Sequence, residues 1–190
     1  MSEVKDIFSR NIEQKIEPVI YFHTIEPDVA SREVNEYVFT SRSRDASRNA
    51  GGIHEEMVDL LTNIYAYFSQ GATLPASWIS GFFGSGKSSF AKLLGLALDG
   101  MKIPKLDSSG NEIGTWSMKE ALISRDDTAN AGDLEAAFAR LLSVMDPMTV
   151  LFDIGTMAQN NEIIPYTAYR EILKKLGYSS MDGVAHYELA

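Results

Sequence analysis

Apolar residues at Ile53, Met57, Leu60, Leu61, Ile64 and Phe68 recur at helical spacing, and Gly71 follows as a natural stop. Leu134, Ala137, Phe138, Leu141, Leu142 and Met145 repeat that spacing, ended by Pro147. Phe90 to Leu98 reads as a buried helix, and a last helix is expected over 167–176, closed by Gly177. Ser117-Met118-Lys119-Glu120 has capping-box spacing ahead of a short helix. Other stretches lack the helical period. Pro18 to Ile25 is rich in β-branched and aromatic residues and predicts a strand. Val34 to Thr40 fits a second strand or the end of a helix, and Ser77-Trp78-Ile79-Ser80 fits a short strand running into a glycine-rich turn. Met148 to Ile154 is nearly all apolar, as in a strand covered on both faces. Gly100 to Gly114 is a loop or hairpin, Ser41 to Gly52 is a loop, and residues 1–17 suit a short helix and its exit. Strands separated by helices predict an α/β fold, a parallel sheet covered by helices.

Composition narrows the function classes. Seventeen Lys and Arg against 26 Asp and Glu give a net charge of −9. The excess is even: −2 over 1–50, −2 over 51–100, −3 over 101–150 and −2 over 151–190. No quarter is basic, so composition offers no broad face for nucleic-acid phosphates. The absence of cysteine removes disulfides, thiolate metal sites and cysteine nucleophiles together. No apolar run reaches the ~18 residues of a membrane span. The opening residues Met1 to Asp6 lack a signal-peptide pattern, which predicts a cytoplasmic protein without membrane contact.

The sharpest chemical signal is Gly81-Phe82-Phe83-Gly84-Ser85-Gly86-Lys87-Ser88, which is G-x-x-x-x-G-K-S without deviation. Gly81, Gly84 and Gly86 allow backbone turns closed to residues with a Cβ, so that successive amides converge on one point. The following helix starts there, and its unpaired N–H groups and dipole favour a polyphosphate. Lys87 is suited to the β- and γ-phosphates and the Ser88 hydroxyl to Mg²⁺; Ser89 completes the candidate nucleotide-binding set. The domain organisation expected is an N-terminal α/β extension over 1–50 and a P-loop NTPase-type domain over 51–190, incomplete as a core. No N-K-x-D element selects guanine, and Asp107-Ser108-Ser109-Gly110 sits among turn residues. ATP is therefore the expected nucleotide.

Hydrolysis needs a second acidic group at the end of an apolar strand to hold Mg²⁺ through water. Asp153 ends Val150-Leu151-Phe152 and has two readings, a metal-site carboxylate or a strand-end carboxylate with a structural partner. Ile154 and Gly155 add no second carboxylate to activate water, and Glu55-Glu56 and Asp126-Asp127 do not follow apolar strands.

Trp78-Ile79-Ser80-Gly81-Phe82-Phe83-Gly84-Ser85-Gly86-Lys87-Ser88 resembles the signature of the large BREX phage-defence ATPases of the BrxC and PglY kind. Val34 to Thr40, Val150 to Ile154 and Tyr169 to Tyr178 resemble flanking elements of that family in the same order. The likeness covers about Ile16 to the C-terminus, with Ser89-Phe90 departing from the family pattern after Lys-Ser. It implies ATP and Mg²⁺ as cofactors, partner subunits of a defence complex, self-association, and a longer protein whose water-activating strand and arginine finger lie elsewhere. A small P-loop kinase and a non-enzymatic assembly domain are the competing readings. Arg125 and Arg140 are the only arginines between Lys87 and Arg170, which is poor material for a kinase lid.

The remaining polar residues read as structural. Arg42, Arg44 and Arg48 share a Ser-rich loop with Asp45, a solvated arrangement or a phosphate contact. His23, His54 and His186 share no metal-ligand spacing. Trp78 is expected in the core, and the scattered methionines as core fillers.

Overall fold

The computed structural model describes residues 19–41, 52–74, 76–107, 109–157 and 163–178. The elements run α1 (Pro27–Glu36), α2 (Ile53–Ser69), α3 (Lys87–Leu98), β1 (Lys102–Leu106), β2 (Glu112–Ser117), α4 (Met118–Ser124), α5 (Ala131–Leu142), α6 (Ile154–Met157) and α7 (Ile164–Lys175). The helix expected over 1–17, the arginines Arg42, Arg44 and Arg48, and His186 lie outside the described residues.

The helical spacings are met. α2 covers its predicted range, and the left-handed Gly71 (φ 64°) follows it. The buried positions of α5, Leu134, Ala137, Phe138 and Leu141, are the predicted stripe. They pack on α2, where Met57 and Leu61 are also fully enclosed. Each such side chain contributes about 1.5–3 kcal/mol by leaving water. α3 packs on α4, and α1 lies on the hairpin, with the Ser31 hydroxyl donating to the Pro104 carbonyl at 2.7 Å.

The expected parallel sheet is not found. Among the described residues the only ladder is β1 against β2, and it is antiparallel, with Lys102 opposite Ser117. Residues 19–26 form no strand, and the Thr24 amide donates back to the Tyr21 carbonyl across a turn. Residues 77–80 and 148–153 are extended without a ladder partner among the described residues. The reason is physical: an apolar run records that its sides are covered, not what covers them. Here α3 covers one side only, leaving residues 149–153 half-buried and Met148 exposed. A Cβ on Gly95 would lie 2.8 Å from Thr149 Cγ2 and 3.1 Å from Leu151 Cδ2, so the extended chain lies directly against the helix at its glycine. The described residues are mostly helical, with one antiparallel hairpin among them.

Glu36 to Thr40 resolves as the end of α1 followed by extended chain. Tyr37 and Phe39 turn inward and touch edge to face at 5.2 Å, while Val38 faces out. Burial pushes the Tyr37 phenol above its ordinary range.

The Ser117 cap forms as its spacing predicts. Glu120 N–H donates to Ser117 Oγ at 3.2 Å, and the Glu120 carboxylate accepts from Ser117 N–H and Oγ–H, both at 2.7 Å. Those bonds to Ser117 hold the Glu120 carboxyl below its usual range. A carboxyl lowered by folding stabilises the protein above its unfolded pKa and loses that contribution as pH falls through the folded value. Glu120→Gln is therefore expected to flatten the acid limb of stability. Urea midpoints measured from pH 7 down to pH 3 would check it, and parallel curves for both proteins would refute it.

Candidate phosphate-binding site

The loop Gly81–Gly86 connects the extended residues 76–80 to α3, whose first residues Lys87 to Ser89 complete the candidate set, and its glycines serve two different needs. Gly84 (φ 78°) and Gly86 (φ 80°) adopt left-handed backbone that side-chain-bearing residues avoid. Gly81 instead supplies space, since a Cβ there would lie 2.7 Å from Ser85 Oγ. Ser85 N–H donates to the Phe82 carbonyl at 3.2 Å and closes the turn. Gly86 is the N-cap of α3 and offers no side chain, and the first helical bond runs from Phe90 N–H to the Gly86 carbonyl at 2.8 Å. Among the described residues, the amides of Gly84, Gly86, Lys87 and Ser88 have no hydrogen-bond partner. Bare amides at a helix start favour an anion through both their protons and the helix dipole.

Lys87 folds back onto the start of the loop. Its ammonium donates to the Phe82 carbonyl at 2.7 Å and to the Gly81 carbonyl at 3.0 Å. A phosphate bound at the amides would meet a cation already held at the loop. The Ser88 hydroxyl is exposed and has no partner among the described residues, so its oxygen is open to a hard cation.

Other predicted residues fall differently. The rings of Phe82 and Phe83 stand in solvent, so only their backbone belongs to the loop. Trp78 is not in the core but 90% exposed, because the extended chain that carries it has no neighbouring strand to cover the indole. Asp153 caps the short α6, with its Oδ1 accepting from Gly155 N–H at 2.8 Å. The residues before it run along α3 from its far end toward the loop. Thr149 N–H donates to Asp99 Oδ1 at 3.0 Å, and Thr149 and Leu151 then cross Gly95. No group of three or more metal-ligating side chains occurs among the described residues.

Two features escape the sequence. A cavity of about 490 Å³ opens beside the loop, between Ser85, Gly86 and Lys87 on one side and Thr40, Gly52 and the start of α2 on the other. Its α2 wall is fixed by an unusual cap. Gly52 has no side chain to offer Ile53, so the Thr40 hydroxyl accepts from Ile53 N–H at 3.1 Å, and the Thr40 carbonyl accepts from His54 N–H at 3.0 Å. A Cβ at Gly52 would collide with that carbonyl. Behind this wall, buried His54 and Asp126 meet at 2.7 Å, and Thr128 O–H donates to Asp126 at 2.6 Å. The partners of His54 lie more than 70 positions away, beyond the reach of any spacing rule.

No family model, curated protein or solved structure matches this chain. Among the described residues no helix is long and apolar enough to cross a membrane.

Proposed function

We propose that this chain is an ATP-binding module that holds Mg-ATP by its phosphates at Gly81–Ser89. The observation that carries the reading is the coincidence of a complete G-x-x-x-x-G-K-S sequence with bare amides at the start of α3 and an ammonium held by carbonyls of the same loop. The claim concerns the loop and does not need a parallel sheet around it. Lys87 would neutralise the terminal phosphates, and Ser88 would contribute its hydroxyl to Mg²⁺, which when bound offsets phosphate charge. Asp153 has one carboxylate oxygen engaged in capping and one left for a water-mediated contact to the metal. A role in a BREX-type phage-defence ATPase, with partner subunits and self-association, is supported by sequence likeness alone, carried mainly by Trp78–Ser88. Calorimetric titration with ATP, with and without Mg²⁺, tests the binding reading. One saturable, Mg²⁺-dependent site is expected, and a flat titration would end it.

Binding and turnover separate here. A cradled triphosphate is stabilised equally in ground and transition states unless something orients water and neutralises developing charge. Asp153 is followed by Ile154 and Gly155, with no carboxylate to polarise water. An arginine finger alone is worth ~10³–10⁵ in rate in related chemistry. The 190-residue chain is therefore expected to release phosphate at or below ~10⁻³ s⁻¹, the unassisted range. Phosphate release is measured with Lys87→Ala as background, and sustained turnover near ~1 s⁻¹ would show a self-sufficient site.

A further inference from the structure

We infer that the cavity beside the phosphate loop is the seat of the nucleoside, and that the carboxylate of Glu56 accepts hydrogen bonds from the ribose hydroxyls. The inference rests on the phosphate-loop reading and extends it to the other half of the ligand. With phosphates at the loop amides, the remainder of the nucleotide must leave either into water or into a neighbouring hollow. The one at hand shares Ser85, Gly86 and Lys87 with the loop, so the two sites are continuous. Its volume of about 490 Å³ falls within the ordinary range for small-molecule sites.

The lining suits a nucleoside better than more phosphate. Trp78, Ile79 and Leu60 give it apolar surface, and the Trp78 indole is bare in the free protein. A flat base covering that ring would remove apolar surface from water on both partners, and stacking on aromatic faces tolerates any base. Glu56 also lines the cavity, is exposed, and has no partner among the described residues. An ionised carboxylate only accepts hydrogen bonds, so it repels phosphate and fits a ligand part that donates. A ribose presents two such hydroxyls, and carboxylates elsewhere hold ribose in this way. The wall is set before ligand arrives, because Thr40 clamps the first turn of α2 one turn ahead of Glu56.

The full chain is titrated with Mg-ATP and with magnesium inorganic triphosphate, which carries the phosphates without the nucleoside. ATP is expected to bind at least about tenfold more tightly, and Glu56→Ala should remove about tenfold from ATP affinity while leaving triphosphate unchanged. The melting temperature of Glu56→Ala without ligand should match the parent, since the side chain is exposed and unbonded. A second readout uses Trp116→Phe, which leaves Trp78 as the single tryptophan. Its emission should change with ATP and not with triphosphate. Equal affinities for the two ligands, an equal loss of both in Glu56→Ala, or an indifferent Trp78 would each overturn the nucleoside seat and leave the phosphate loop standing. If neither ligand binds the parent chain, the phosphate-loop reading fails and this inference fails with it.

Discussion

Lys87→Ala is expected to erase the stabilisation that Mg-ATP gives the protein. A ligand at 100 times its Kd stabilises the folded state by about 2.7 kcal/mol. At about 2–4 °C per kcal/mol for a chain of this size, that is a rise of roughly 5–10 °C in melting temperature. The Lys87 ammonium is held at the mouth of the loop by the Gly81 and Phe82 carbonyls, next to the amides that would take the phosphates. Removing it leaves several negative charges to be balanced by backbone dipoles and Mg²⁺ alone. The unliganded variant should melt close to the parent, because the lost bonds join only exposed loop atoms. Differential scanning fluorimetry across an ATP series reads both quantities. The same ligand-induced rise in parent and variant would remove Lys87 from the site.

A second lysine, five positions along the same helix, should behave in the opposite way. Lys92 is completely buried, and its ammonium lies 2.8 Å from Glu33 Oε1 and 2.8 Å from Oε2. Removing one partner of a buried ion pair strands the other and typically costs about 3–5 kcal/mol. Met keeps most of the apolar stem of Lys92 in place, which puts Lys92→Met at the lower end, at ~3 kcal/mol. That corresponds to a fall of about 6–12 °C in melting temperature. Below the transition, the folded variant should still bind ATP with little change, since Lys92 faces α1 and not the loop. Urea melts with an unchanged slope would confirm the loss as one of stability. A loss under about 1 kcal/mol would mean that the pair contributes no more than a surface contact. The two lysines thus separate ligand chemistry from folding on one helix.

The helical parts were legible because their signals are local. The stripe from Leu134 to Leu141, the Ser117–Glu120 box and the glycines after α2 and α7 each act within a turn or two of chain. The phosphate loop was legible for the same reason, since eight consecutive residues carry it. Sheet topology is not local. Val150-Leu151-Phe152 looks the same whether strands or a helix cover it, and here Gly95 admits it against α3. The expectation of a buried Trp78 fails for the same reason, because an indole on a lone extended segment has nothing to bury it. The cavity and the His54–Asp126 contact could not have been read at all, since they bring together residues from distant parts of the chain.

One consequence of the way α3 is anchored is mechanical. The helix that begins at the phosphate loop is gripped at three levels along its length: Lys92 binds α1 through Glu33, Gly95 bears on residues 149–151, and Asp99 holds both the Thr149 amide and the Lys175 ammonium of α7. Close-packed interiors deform little and pass displacement on to their neighbours. All three anchors lie in the last two turns of α3, so Lys87 and Ser88 stand at the end of the helix that none of them holds.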